Sequence, residues 1–172
     1  MEAQKALKTI ARGFYRAKQW MYRGERPNWF ARIQNNFWAA IHSSGIAPNW
    51  LATLEVIGRK SGRIISLPVA LTPVEGQRYL VSMLGDEAQW VQNVRAAHGK
   101  AFIRSGKRTE VLLEEVPVEQ RAPILKAYLK RAPGARPHIP VDKDAPLLEF
   151  EAVAASFPAF RIVTKQSNKV QM

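Results

Sequence analysis

Three cations and a hydroxyl fall within six residues at Gly58-Arg59-Lys60-Ser61-Gly62-Arg63, between two apolar stretches. Such a turn suits a phosphate. Glycines let backbone amides point at an anion, arginine offers a planar fork of donors, and lysine adds a compact charge. The same composition also describes a solvated hairpin turn, so six residues alone leave both readings open. A second set is Gly85-Asp86 followed by Trp90, Asn93 and Arg95. It spans a strand-to-helix junction, where the unpaired amides of a helix start can meet an anion or a polar ring edge. Trp90 and Asn93 lie three apart and share a helix face. The competing reading makes Trp90 a core residue and Asn93 a hydrogen-bonded buried amide.

Other chemistries find little support. The histidines, His42, His98 and His138, are scattered and lack the spacing of a metal site. No cysteine is present, which removes thiolate ligands, disulfides and a cysteine nucleophile. No Gly-x-Ser-x-Gly elbow occurs, and the adjacent Glu114 and Glu115 would face opposite sides of a strand. No side chain is therefore assigned as catalytic and none as a metal ligand. If the chain is an enzyme, a cofactor is expected to carry the reaction.

The elements that must position these residues can be read from periodicity. Leu7, Ile10, Phe14, Ala17 and Met21 follow helical spacing, and Pro27 ends that helix. A second helix runs from Trp29 to about Ser43 and stops at Ser44-Gly45. The pattern then turns to strands: Leu51 to Ile57, Ile64 to Thr72 and, after a Glu75-Gly76 turn, Arg78 to Leu84. Asp86 is the expected N-cap of a helix reaching Ala97, stopped by His98-Gly99. Strands follow at Ala101 to Arg104 and Thr109 to Val116, then a helix at Val118 to Arg131 with Pro123 in its first turns. Ala132 to Pro146 carries four prolines and reads as an ordered loop; Leu147 to Ser156 is a short helix and Phe160 to Thr164 a last strand. This order predicts an α+β fold around a mostly antiparallel, barrel-like sheet, with helices at the N-terminus and the periphery. The expected layout is a helical arm over residues 1–49, a barrel over 50–165 and a tail over 166–172.

A chain of 172 residues with 47% apolar content can bury a single core. Its 26 Lys and Arg against 14 Asp and Glu give a net charge of +12, which predicts an anionic partner. Residues 1–32 hold eight basic residues and two acidic ones, half of that excess. With Trp20, Tyr22, Trp29, Phe30 and Trp38 beside those cations, the arm fits a membrane interface, stacking on single-stranded nucleic acid, or packing on the barrel. Nucleic acid is set aside, because the predicted sheet lacks interleaved aromatics and cations. No secretory leader or spanning segment is expected, which predicts a cytoplasmic protein, with peripheral contact to the inner membrane face through residues 1–26 as a further expectation.

The two motifs in this order resemble the deazaflavin-dependent nitroreductase family, within the flavin/deazaflavin oxidoreductases. The stretches that carry the resemblance are Leu54-Glu55-Val56-Ile57-Gly58-Arg59-Lys60-Ser61-Gly62, Pro68, and Trp90-x-x-Asn93-Val94-Arg95-Ala96. The run from Arg131 to His138 resembles one actinobacterial branch. The resemblance implies a split β-barrel binding coenzyme F(420), which has a phosphate and a glutamate tail, and hydride transfer from it to quinones, nitroaromatics or activated alkenes. By the same resemblance Arg59, Lys60, Ser61, Gly62 and Arg63 hold the phosphate. Ile65, Ser66, Leu67, Pro68 and Val69 line the next strand. Val81, Ser82, Met83 and Leu84 flank the ring, and Trp90, Val91 and Asn93 complete the groove.

The sequence departs from that pattern at several places. Ile65 takes the place of a basic residue, with Arg63 as its substitute. Met83 and Leu84 replace a hydroxyl and a lysine, and Leu147, Leu148 and Phe150 stand where the nitroreductase branch has tyrosines. These changes imply a more apolar pocket and a lipophilic acceptor. Alternatives are an FMN-dependent reductase of the same fold and a non-enzymatic, membrane-associated lipid or cofactor carrier. The expected assembly is a monomer or a homodimer.

Overall fold

The computed structural model describes residues 49–164. Apart from Asn49, the arm predicted over residues 1–49 and the tail over 166–172 lie outside the described residues, as does the expected membrane contact of residues 1–26.

Leu51–Ile57 (β1) alternates as a strand must, with Ala52, Leu54 and Val56 turned into the core and at most 5% exposed. It pairs in antiparallel register with Ile64–Ala70 (β2), from Leu51 opposite Ala70 to Ile57 opposite Ile64. Thr72–Val74 (β3) and Gln77–Val81 (β4) form a hairpin across Glu75-Gly76, as the sequence predicts. Lys100–Ser105 (β5) and Lys107–Glu115 (β6) form another, and Ala159–Thr164 (β7) joins β6 to β4. The described sheet has the order β2-β1-β5-β6-β7-β4-β3, every pair antiparallel.

That order corrects the prediction of one strand from Ile64 to Thr72. The segment divides at Leu71, with β2 on one edge of the sheet and β3 on the other. A single residue cannot bridge the width of a flat seven-stranded sheet at about 4.8 Å per strand. The sheet must therefore curl until its edges approach, which is the split-barrel arrangement. Leu71 seals this seam: it is 5% exposed, and its amide donates to the Trp50 carbonyl at 2.7 Å.

The helices pack around this curl. Gln89–Ala96 (α1) lays Trp90, Val91 and Val94 into the core, where Trp90 meets Phe160 with ring centroids 5.4 Å apart. Asp86 is not its N-cap. Ala88 holds that position without a side-chain cap bond, while the Asp86 carboxylate accepts from Arg95 Nη2 at 2.7 Å. The strand predicted to reach Leu84 ends at Val81 because Ser82 turns the chain: its hydroxyl donates to the Gly85 carbonyl at 2.8 Å.

The helix predicted from Val118 opens as a 3-10 turn at Val118–Gln120 and becomes α2 over Arg121–Arg131. Leu147–Val153 (α3) passes into another 3-10 turn at Ala154–Ser156, so the helix predicted to Ser156 tightens in its last turn. Between α2 and α3 the proline-rich loop is tied down by Lys126 Nζ donating to the Ala145 carbonyl at 2.7 Å and Arg136 Nε to the Leu129 carbonyl at 3.1 Å.

Candidate functional site

The Gly58–Arg63 turn closes on itself through two backbone bonds. The Gly58 amide donates to the Arg63 carbonyl and the Gly62 amide to the Gly58 carbonyl, each at 2.8 Å. The Arg63 amide donates to Ser61 Oγ at 3.3 Å. Gly58 is buried at the base. A Cβ there would stand 2.8 Å from both Ile65 Cδ1 and Ser61 Oγ, so any larger residue would displace those two side-chain ends. Among the described residues the amides of Lys60 and Ser61 have no acceptor, and both residues are exposed.

The second motif meets this loop directly. Asn93 is 2% exposed, and its Oδ1 accepts from the Arg59 amide at 3.2 Å and from Arg59 Nη1 at 2.9 Å. Gln89 Oε1 takes the same Nη1 at 3.1 Å. The structure thus joins two sequence signals 34 residues apart and adds Gln89, which the sequence reading missed. A signal for it existed: Gln89 precedes Asn93 by four residues and so shares its helix face.

The electrostatics of the loop differ from those of the barrel wall. Among the described residues Arg59, Lys60 and Arg63 have no carboxylate within ion-pair distance. Five arginines of the sheet and helices, by contrast, are matched to carboxylates: Arg95, Arg104, Arg108, Arg121 and Arg161. Glu55, side chain 5% exposed, binds Arg104 at 2.5 Å and Arg108 at 2.7 Å. The Arg108 hydrogen bond, opposed by burial and helped by the charge of Arg104, holds the Glu55 carboxyl below its ordinary pKa. Arg95 bridges Glu115 and Asp86, each at 2.7 Å, and these bonds raise its already high pKa. Arg59 also adjoins the first residue of α1, Gln89, at a helix start without a side-chain cap, where amide dipoles favour negative charge. The result is a concentrated positive field without an internal counter-ion.

The remaining predicted site residues divide by exposure. On β2, Ile65 is 37% exposed and Ser66 is exposed, Leu67 is buried in the core, and Pro68 and Val69 are half-buried. At the end of β4 and just beyond it, Val81 and Ser82 are buried, whereas Met83 and Leu84 are half-buried. Trp90 and Val91 are core residues. Leu147 and Leu148 are exposed on α3 and Phe150 is fully buried. A separate groove of about 400 Å³ runs between β4, β6 and α2, lined by Tyr79, Glu114, Glu115, Ile124 and Arg161 among others; no predicted cofactor-binding residue lines it. Its Glu114 is paired with Arg161, and its Glu115 with Arg95 and Arg121. Among the described residues no helix is long and apolar enough to cross a membrane.

Comparison with known proteins bears on the chain's family. No curated protein matches the chain. Among solved structures, an F(420)-H2 dependent reductase is similar at 18% identity and TM-score 0.47, over 66% of this chain and 93% of its own. A conserved hypothetical protein from Mycobacterium tuberculosis gives 16% identity and TM-score 0.49, over 67% and 72%. A chain described as a domain-swapped dimer gives 17% and 0.48, over 78% and 97%. These are distant likenesses. The sequence profile of the F(420)H(2)-dependent quinone reductases, by contrast, matches residues 29–146, more than half of the chain. The chain belongs to that family of deazaflavin-dependent oxidoreductases, whose coenzyme is F(420).

Proposed function

We propose that the Gly58–Arg63 loop and the start of α1 hold the anionic portion of F(420), and that the acceptor is a lipophilic quinone. The observation that carries this reading is the set of three loop cations without carboxylate partners, one of them fixed by Asn93. A phosphate fits there: the amides of Lys60 and Ser61 lack protein acceptors, and Lys60 brings a mobile charge. When bound, the reduced deazaflavin supplies hydride equivalents from C5. The protein's part is to bind, orient and shield, with the acceptor's proton taken from solvent.

The acceptor class rests on the apolar side chains near the ends of β2 and β4. Ile65 is partly exposed, Met83 and Leu84 are half-buried, and none offers a hydrogen bond to a nitro group. Further expectations are a homodimer or monomer, and peripheral contact with anionic membrane through the basic residues of 1–26. Sedimentation of the full chain with anionic but not zwitterionic vesicles supports that contact; equal recovery with both rejects it.

The deciding measurement is fluorescence titration of the full chain with F(420) and, separately, with FMN. Lys60→Ala removes one charge-assisted contact and should weaken F(420) binding by about 1.5–3 kcal/mol. An unchanged affinity, or tight binding of FMN alone, rejects the assignment.

A further inference from the structure

We infer that Asn93 is a positioning residue, acting on the bound anion through Arg59 rather than by touching it. This rests on the reading of the Gly58–Arg63 loop as an anion grip. Asn93 spends one oxygen on two donors of the same residue, the amide at 3.2 Å and Nη1 at 2.9 Å. The first bond fixes the backbone where the loop leaves Gly58. The second fixes the direction of the guanidinium. A carboxamide oxygen has two lone pairs, and both are used.

The choice of asparagine is informative. An aspartate here would present the same acceptors but neutralise the guanidinium, and the site would lose the charge an anion seeks. A neutral acceptor orders Arg59 while leaving its charge unspent. Gln89, also neutral, repeats the device one helical turn earlier at 3.1 Å from the same Nη1. The other α1 arginine contact is made differently: Arg95 is matched by carboxylates at Asp86 and Glu115. Neutral partners hold the loop arginine, and charged partners hold the structural one. An arginine already fixed loses less side-chain freedom when it binds, so its contact contributes more to affinity.

The test is a double-mutant cycle on the full chain, read by F(420) fluorescence titration, with kcat and KM for the coenzyme in parallel. Arg59→Ala should weaken binding at least tenfold. Asn93→Ala should weaken it about five- to tenfold, raise the coenzyme KM in proportion and leave kcat unchanged. The double variant should bind no more weakly than Arg59→Ala alone. In the coenzyme-free protein, hydrogen exchange at the Arg59 amide should accelerate in Asn93→Ala.

Losses that add would mean that Asn93 contacts the ligand itself, and would overturn the inference. So would an unchanged affinity in Asn93→Ala beside a weakened Arg59→Ala. If Arg59→Ala and Lys60→Ala both bind normally, the loop is not the anion grip, and both readings fall. Should Asn93→Ala lose its cooperative thermal transition, Gln89→Leu at an exposed position carries the cycle. A two- to threefold loss that vanishes in the Arg59→Ala background supports the inference, and an additive loss or none overturns it.

Discussion

Arg108 ties Glu55 to Phe102: its Nε donates to Glu55 Oε2 at 2.7 Å, while its guanidinium carbon lies 3.5 Å from the Phe102 ring centroid. Glu55 sits on β1 and Phe102 opposite it on β5, so the arginine clasps two neighbouring strands. The carboxyl is held below its ordinary pKa, chiefly by this bond. Its stabilisation is therefore fully present above the unfolded carboxylate pKa and is lost as pH falls through the lower, folded value. Urea unfolding from pH 7 to pH 3 should show a decline below the ordinary carboxylate pKa of 4.5 that is shallower in Glu55→Gln. At neutral pH that substitution should cost about 1–2 kcal/mol, since both arginines can regain water.

Gly58→Ala should separate binding from stability. The added Cβ would press on Ile65 Cδ1 and Ser61 Oγ, two side-chain ends that can rotate away. Thermal stability should fall by no more than about 1 kcal/mol. F(420) affinity should fall at least fivefold, because Ser61 cannot keep its place. Equal, small losses in both would mean that the loop shape is irrelevant to binding.

Gly99→Ala should act oppositely. Its φ of +79° and the Leu113 carbonyl oxygen 2.5 Å from the added Cβ leave no room without moving β6. The expected loss is about 2–3 kcal/mol in denaturant melts, with coenzyme affinity of the folded fraction unchanged.

Arg121 is 6% exposed and donates to the Val116 carbonyl, the Ala154 carbonyl and Glu115 at 2.8, 3.3 and 3.1 Å. Three acceptors in different directions need a guanidinium fork, so Arg121→Lys should recover little of what Arg121→Met loses. Each should destabilise by about 2–4 kcal/mol. Full rescue by lysine in thermal melts would show that charge alone matters there.

Met83→Ser tests the acceptor class. Removing apolar contact from a half-buried position should raise KM for a long-chain quinone about three- to tenfold, on the order of 1 kcal/mol of lost burial. The F(420) affinity should stay within twofold. An unchanged quinone KM would remove Met83 from the acceptor path.

Local pattern in the sequence determined a good deal. The alternation of Leu51–Ile57 defined β1 to the residue, the Glu75-Gly76 and His98-Gly99 punctuation located a hairpin and a helix end, and the cations of Arg59, Lys60 and Arg63 marked the loop proposed here as the anion site. Each of these signals depends on neighbours within a few residues, so the chain carries it without its fold. Tertiary structure decided the rest. A continuous β-rich run from Ile64 to Thr72 gives no local cue that its halves belong to opposite edges of a curled sheet. The spacing of Asn93 from Trp90 likewise shows a shared face but not what that face meets. Only the packing of α1 against the barrel brings its carboxamide to Arg59, turning a bare cluster of charges into an ordered one.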